Sequence, residues 1–319
     1  MTYTKDSLKI VFFGTPDFAV ESLDRLVKGG YNIVGVVTMP DKPAGRGHKM
    51  YQSPVKEYAL AHDLKLLQPV SLKSPEFVEE LRSLNADLQI VIAFRMMPEI
   101  VWNMPPLGTF NLHASLLPKY RGAAPINWAV MNGDTETGVT TFFLKHEIDT
   151  GDIIQQEQIS ISETDNVGVV HDKLMMLGAG MVVETVDAII SGTVKPIPQD
   201  KLLTTGEEPT PAPKIFKETC EIDFTRPTRE VYNHIRGLSP YPAAWTTIKD
   251  ATGAEFTLKI FETELPDNSI IGTPGSVVAT KDTLTFACAD GSIEIKSLQL
   301  AGKKRMTTAE FLRGFKLES

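Results

Sequence analysis

The sequence predicts an α/β protein: a Rossmann-like, mostly parallel sheet with helices on both faces, followed by a small OB-like β-barrel. In the first half of the chain, continuous apolar runs alternate with helix-like segments. A proline-rich stretch then shows no hydrophobic period, and short β-rich runs separated by turn residues fill the last third. We therefore expect a first domain over residues 1–192, a linker over 193–213 and a second domain over 214–319.

The first predicted strand, residues 8–13, is a continuous apolar run that ends at Gly14, as expected of a strand buried on both faces. Similar apolar runs predict further strands at 31–37, 88–93, 109–113, 138–143 and 152–161.

Helix starts are marked by a hydroxyl residue followed by proline, at Thr15-Pro16, Ser53-Pro54 and Ser74-Pro75. Further helices are expected at 125–131 and 165–190. The strand–helix–strand order favours parallel pairing with right-handed crossovers.

The second domain is predicted to begin with a helix at 227–235. Strands are then predicted at 257–261, 276–279, 284–288 and 293–300. Thr307 and Glu310 have the spacing of a capping box, which predicts a final helix.

Composition restricts the function. The 319 residues carry 32 basic and 40 acidic side chains, a formal net charge of −8, which argues against a general nucleic-acid binder. No apolar stretch reaches about 18 residues, so we expect no membrane span. Two cysteines without clustered histidines predict reduced thiols and no metal site. The N-terminus carries no Arg-rich presequence, so a cytoplasmic protein is expected.

Two short motifs match known enzymes, but the sequence lacks the partner residues that each would need. Gly14 follows a strand, but a dinucleotide-binding turn needs a second glycine where this chain has Pro16. The tripeptide Asp149-Thr150-Gly151 occurs in aspartic proteases, which need a second such tripeptide that the sequence lacks.

Chemistry-bearing residues gather near the fourth predicted strand of the first domain. Asn111 and His113 are two residues apart at its end, so their side chains point to one face. An amide and an imidazole side by side suit stabilisation of an oxyanion and movement of a proton. Asp149 could bring a carboxylate that fixes the histidine tautomer. In the alternative interpretation, His113 is a core histidine and Asp149 a turn former.

The longer pattern Asn111-x-His113-x-Ser115-Leu116-Leu117-Pro118-x-x-Arg121-Gly122-x-x-Pro125, followed by Asp149-Thr150-Gly151-Asp152, resembles the signature of 10-formyltetrahydrofolate-dependent formyltransferases. The resemblance implies that Asn111, His113 and Asp149 form the catalytic centre. It implies 10-formyltetrahydrofolate as formyl donor, without a metal. The implied folate-binding residues are Ala93, Phe94, Ser115, Leu116, Leu117, Pro118 and Asp149.

Residues 40–49 resemble the insertion loop of family members that formylate methionine carried by initiator tRNA. The resemblance implies tRNA contacts by Lys42, Arg46 and Lys49. Positive charge suits phosphate, although a solvated loop with incidental charge remains the alternative. The second domain also resembles the family, and Lys303 and Lys304 are expected to contact tRNA.

Together these features predict transfer of a formyl group to the α-amine of initiator methionyl-tRNA, for translation initiation, by a monomer. Three alternatives remain open: a related enzyme acting on a sugar or purine amine, a hydrolase of formyl-tetrahydrofolate, and a non-catalytic tRNA-binding module. One departure from the family pattern is Ala93-Phe94-Arg95, where a glycine usually stands. Arg95 is expected either to approach the folate tail or to reach solvent.

Overall fold

The computed structural model describes residues 3–44, 49–203, 208–267 and 271–317. The chain forms two compact units. The first comprises Met1–Gly122, Gly138–Ile159 and Asp172–Pro211, and the second Ala123–Thr137, Ser160–His171 and Ala212–Ser319. These units are spatial groupings, so the division of the sequence after residues 192 and 213 stays a prediction.

The described elements are numbered in chain order. The strands are β1 (Ile10–Gly14), β2 (Ile33–Val37), β3 (Lys42–Ala44), β4 (Lys49–Tyr51), β5 (Leu66–Leu67), β6 (Leu88–Ile92), β7 (Thr109–His113), β8 (Arg121–Gly122), β9 (Glu136–Phe143), β10 (Ile153–Ser160), β11 (Pro211–Ala212), β12 (Ala244–Lys249), β13 (Glu255–Glu264), β14 (Val277–Ala279), β15 (Leu284–Ala287), β16 (Ser292–Leu300) and β17 (Met306–Thr307). The α-helices are α1 (Asp17–Lys28), α2 (Pro54–Ala61), α3 (Pro75–Ser83), α4 (Glu99–Trp102), α5 (Pro125–Met131), α6 (Val167–Ser191), α7 (Thr228–Leu238) and α8 (Thr308–Gly314), and two 3-10 helices cover Gln199–Leu202 and Glu218–Cys220.

The first unit is built on a sheet of strand order β10-β9-β7-β6-β1-β2-β5. Pairing is parallel from β7 to β5, and β9 is antiparallel to β7. Val11 and Phe13 of β1 pack in one core cluster with Leu81 of α3. On the opposite face, Leu112 packs so closely on Gly178 of α6 that a Cβ there would overlap it. The predicted mostly parallel sheet with helices on both faces is thus confirmed.

The second unit contains an antiparallel half-barrel of strand order β12-β13-β16-β15-β14, with β17 paired to β16. Its core buries Ile235 of α7 against Leu258 and Ile295 of the strands. The predicted small β domain is confirmed, but β12 was not expected. The strand carries no clear apolar alternation, because Thr246, Thr247 and Lys249 interrupt it. Its pairing with β13 along its full length defines it.

The predicted helix starts are correct in part. The Ser53 hydroxyl accepts the Lys56 N–H at 3.1 Å, the Ser74 hydroxyl accepts the Phe77 N–H at 3.3 Å, and the capping box of Thr307 is formed. The cap at Thr15 is wrong, because Pro16 occupies the N-cap position of α1 and no side chain caps it.

Helix α6 is long and apolar enough to cross a membrane by length and composition alone, and it is the one such helix within the described ranges. It covers the sheet of the first unit, since Gly178 meets Leu112 and the hydroxyls of Thr185 and Thr141 lie 3.0 Å apart. The expectation that the chain has no membrane span stays a prediction.

Both cysteines, Cys220 and Cys288, are buried free thiols in the core of the second unit, as predicted. Burial raises the pKa of each thiol, so they are poor nucleophiles. They serve as packing side chains.

Candidate active site

Asn111 and His113 lie on one face of β7, as the two-residue period of a strand requires. In the sheet, Asn111 is level with Val91 of β6 and with Phe142 of β9. This is the same face as the core cluster that contains Phe13 and Val91. Strand β7 therefore delivers both side chains to the carboxyl end of the parallel strands, where open α/β sheets bind ligands.

Asp149 approaches the histidine from the loop after β9. Its Oδ2 atom lies 3.9 Å from His113 Nδ1, and the two side chains are only 11% and 7% exposed. That separation is too long for a hydrogen bond but short enough for a strong charge interaction with an imidazolium. The same Oδ2 accepts a hydrogen bond from the Gly122 N–H at 2.9 Å.

A hydrogen bond at the other ring nitrogen, Nε2, fixes the orientation and the tautomer of His113. His113 Nε2 lies 2.8 Å from the carbonyl oxygen of Tyr120. Because a carbonyl can only accept, Nε2 carries a proton, and Nδ1 is the nitrogen that faces Asp149. Asp149 was expected to fix the tautomer of His113, but the Tyr120 carbonyl fixes it in the structure.

Asn111 is half-buried, and its Oδ1 atom is buried without a hydrogen-bond partner among the residues that the structure describes. A buried polar atom left unpaired is costly unless a ligand or water completes it. The amide offers one acceptor and two donors, which suits it to bind both an amine and a carbonyl oxygen.

The turn that carries Asp149 is constrained at both ends. Asp149 itself has φ +55°, in the left-handed region. Gly151 is required because a Cβ there would overlap the carbonyl oxygen of Phe143. Gln199 donates hydrogen bonds of 2.8 Å to the carbonyls of both Asp149 and Gly151.

Gln199 was missed in the sequence, where it falls in the predicted linker. Its Oε1 also accepts hydrogen bonds from Arg121, at 3.0 Å from Nε and 2.8 Å from Nη2. Nothing in the local pattern signals such long-range contacts. The nearest hint is Arg121, which belongs to the quoted motif.

Residues 115–118, expected to bind folate, are held by buried Thr140. The Thr140 hydroxyl donates to the Ser115 carbonyl at 2.6 Å and accepts the Leu117 N–H at 3.1 Å. Leu116 packs on Gly138, and Pro118 is buried. The loop after β7 is therefore tied to β9 by two hydrogen bonds.

Ala93 and Phe94, also expected at the folate site, follow β6, the neighbour of β7. Ala93 is exposed with φ +47°, and the Phe94 ring meets Phe13 edge-on at 5.6 Å. The guanidinium of half-buried Arg95 donates to the carbonyls of Val70 at 2.8 Å and Pro69 at 2.5 Å, and its approach to the folate tail stays a prediction. Arg95 thereby ties the segment after β6 to the segment before α3.

The residues expected to bind tRNA lie in separate segments. Lys42 and Lys49 begin the paired strands β3 and β4, which the sequence analysis treated as a loop, and Lys42 is exposed. Arg46 lies outside the described residues. Lys303 and Lys304 are exposed in the turn after β16.

Within the described ranges no group of three or more histidine, cysteine or acidic side chains is placed to hold a metal ion. The site as described offers an amide, an imidazole and a carboxylate. Such a set can bind a carbonyl group, accept a proton and stabilise the charge that results.

Two family models match this chain, over separate parts of the sequence. A family model described as formyl transferase matches residues 8–186, and one described as formyl transferase, C-terminal domain, matches residues 214–316. The chain therefore belongs to the formyl transferase family, as the sequence motif predicted.

Curated relatives carry a more specific name, methionyl-tRNA formyltransferase. That of Bacteroides fragilis is 64% identical over 314 residues, which are 98% of this chain and 97% of the relative. That of Bacteroides thetaiotaomicron is 62% identical with the same coverage. That of Flavobacterium johnsoniae is 51% identical over 97% of this chain and 96% of the relative.

Solved structures share the fold at low identity. HypX from Aquifex aeolicus in complex with tetrahydrofolic acid gives a TM-score of 0.65 at 21% identity over 98% of this chain, which spans 48% of HypX. An N-formyltransferase from Helicobacter canadensis, in complex with folinic acid and dTDP-3-aminofucose, gives 0.66 at 20% identity over 94% of this chain and 100% of that chain.

Proposed function

We propose that this chain transfers the formyl group of 10-formyltetrahydrofolate to the α-amine of methionine on initiator methionyl-tRNA, in the cytoplasm, at the start of translation. The observation that carries the proposal is the 64% identity, over 98% of the chain, to a relative named methionyl-tRNA formyltransferase. The tetrahydrofolic acid complex of HypX supports a folate donor.

In this proposal His113 is the proton acceptor. With Nε2–H held by the Tyr120 carbonyl, Nδ1 is free to take a proton from the attacking amine. Asp149 then stabilises the imidazolium at 3.9 Å. The carboxylate stays in place because the Gly122 N–H binds it.

Asn111 supports the tetrahedral centre. As the amine forms its bond to the formyl carbon, the former carbonyl oxygen becomes an oxyanion, and the Asn111 amide stabilises it. His113 returns the proton to N10 as the bond between N10 and the formyl carbon breaks. The bonds and protons balance: the amine loses a proton, and the departing folate nitrogen gains one.

The remaining assignments complete the proposal. Lys42, Arg46 and Lys49 contact the tRNA from the first unit, and Lys303 and Lys304 contact it from the second. The folate lies against Ala93, Phe94 and the loop of Ser115, Leu116, Leu117 and Pro118, near Asp149. No metal takes part, the chain acts as a monomer, and its domains divide after residues 192 and 213.

The direct test gives the purified protein isotope-labelled 10-formyltetrahydrofolate and, in separate reactions, methionyl initiator tRNA, uncharged tRNA, dTDP-3-aminofucose or buffer alone. We expect labelled formyl-methionyl-tRNA, without transfer to the sugar. Transfer to the sugar alone would establish the sister activity, and release of formate without an acceptor would establish the hydrolase.

A further inference from the structure

Gln199 uses its whole side-chain amide inside the candidate site. Its NH₂ group donates to the carbonyls of Asp149 and Gly151, each at 2.8 Å. Its carbonyl accepts from the Arg121 guanidinium at 3.0 and 2.8 Å. The residue is 2% exposed, although it lies in a segment whose sequence is typical of a linker.

The Asp149 turn depends on outside support. Its left-handed residue is not glycine, and conformations of this kind persist where the surroundings impose them. Gln199 donates to the backbone carbonyls of Asp149 and Gly151, which lie on either side of Thr150. Without the Gln199 amide these two carbonyls would lose their hydrogen-bond donor. The backbone of residues 149–151, which positions the Asp149 carboxylate, would then be free to shift.

We propose that Gln199 is a positioning residue: it fixes the turn so that the Asp149 carboxylate stays at His113, and it links that turn to Arg121. The role rests on the proposed function, in which Asp149 stabilises the imidazolium. Gln199 itself contacts no reacting atom in this account.

Two substitutions separate the halves of the amide. Gln199→Glu keeps an oxygen for Arg121 but places a second oxygen against the carbonyls of Asp149 and Gly151, which repel it. Gln199→Met keeps the volume and removes all four hydrogen bonds. If the donor half is what positions the turn, both variants lose activity, and the glutamate variant is no better than the methionine variant.

Kinetics distinguish positioning from folding. We expect kcat to fall by about tenfold or more, since small misplacements of a reacting group are costly. The KM values for the folate donor and for methionyl-tRNA should stay within about twofold, because the lost interaction acts in the transition state. The control Gln155→Met removes a half-buried glutamine of β10 that accepts a hydrogen bond from Thr185; it should keep the wild-type kcat.

A double-mutant cycle tests whether Gln199 acts through Asp149. In an Asp149→Asn background, Gln199→Met should change the single-turnover rate by less than about twofold, because residues that act as a unit are not additive. Full additivity of the two losses would overturn the proposal, as would a wild-type kcat for Gln199→Met.

A readout independent of activity is amide exchange at Gly122, whose N–H is bound by Asp149 Oδ2. We expect Gln199→Met to speed this exchange and Gln155→Met to leave it unchanged. Unchanged exchange in Gln199→Met would overturn the proposal. If the wild-type protein formylated no acceptor, the proposed function would fail, while the Gly122 exchange would still decide the positioning role.

Discussion

At the scale of single residues, the side-chain oxygen of Asn111 stands out because it is buried and, within the described ranges, unpaired. Asn111 Oδ1 is buried without a hydrogen-bond partner among the described residues, whereas His113 Nε2 is satisfied by the Tyr120 carbonyl. Asparagine therefore contributes little to internal hydrogen bonding through this oxygen. Such a trade between stability and activity is common where a site must receive a ligand.

Asn111→Ala tests both halves of the amide: the N–H₂ group as the proposed oxyanion donor, and Oδ1 as an atom with no internal partner among the described residues. We expect kcat to fall by about 10²–10³, the usual cost of losing one oxyanion donor. The melting temperature should stay at or above the wild-type value, because no internal bond to Oδ1 is broken. Formylation kinetics and thermal unfolding measure the two effects, and a large loss of stability with unchanged kcat would contradict the assignment.

Sequence reasoning found the residues whose type and spacing carry a signal. The period of a strand places Asn111 and His113 on one face, and the Asp149 turn contains its own glycine. Tyr120 and Gln199 could not be found in this way. Tyr120 acts through its backbone carbonyl, which every residue has, and Gln199 meets Asp149 from 50 positions away in the chain.

At the scale of elements, the paired strands β3 and β4 follow a residue, Asp41, that is held by two side chains. Lys56 Nζ on α2 lies 2.5 Å from Asp41 Oδ2, and Gln68 donates to Asp41 Oδ1 at 2.9 Å. A loop was expected here from the resemblance to the family's insertion loop, and neither short strand carries an apolar pattern that would predict a strand. The strands result from pairing of Lys42–Ala44 with Lys49–Tyr51.

Lys56→Met should lower stability in a pH-dependent manner. The Lys56 hydrogen bond, with a smaller contribution from Gln68, holds the pKa of Asp41 below its ordinary value of 3.8. A lowered carboxyl pKa adds stability that is present above the ordinary value and is lost as pH falls through the lowered one. Melting temperatures of the variant and wild type should differ most near neutral pH and converge below pH 3.8. A constant difference would contradict this, and Lys73→Met, at an exposed position, serves as control.

The proposed tRNA contact of Arg46 gives a prediction for the stretch 40–49 of the sequence. Arg46→Ala should raise the KM for methionyl-tRNA and reduce the slope of log affinity against log salt by about one, as for loss of one phosphate contact. Arg46→Lys keeps the charge and should retain most of the salt dependence. Equal salt slopes for Arg46→Ala and wild type would indicate a loop that does not touch phosphate.

At the scale of the whole molecule, composition and periodicity predicted both halves of the fold. The mostly parallel sheet follows from strands that are apolar throughout, such as β1, and the antiparallel half-barrel from short runs between turns. Strand β12 was missed since its polar residues obscure the alternation, and its identity depends on the partner strand β13. The family itself was predicted by the motif around Asn111 and His113.

The proposed acid–base role of His113 is decided by two measurements on His113→Ala: the single-turnover rate of formyl transfer to methionyl initiator tRNA, and the affinity for that tRNA. The account predicts a rate lowered by about 10²–10⁴, the usual contribution of a general acid–base residue. An affinity close to that of wild type is expected, because the His113 side chain is only 7% exposed beside Asp149. A wild-type rate in this variant would contradict the account.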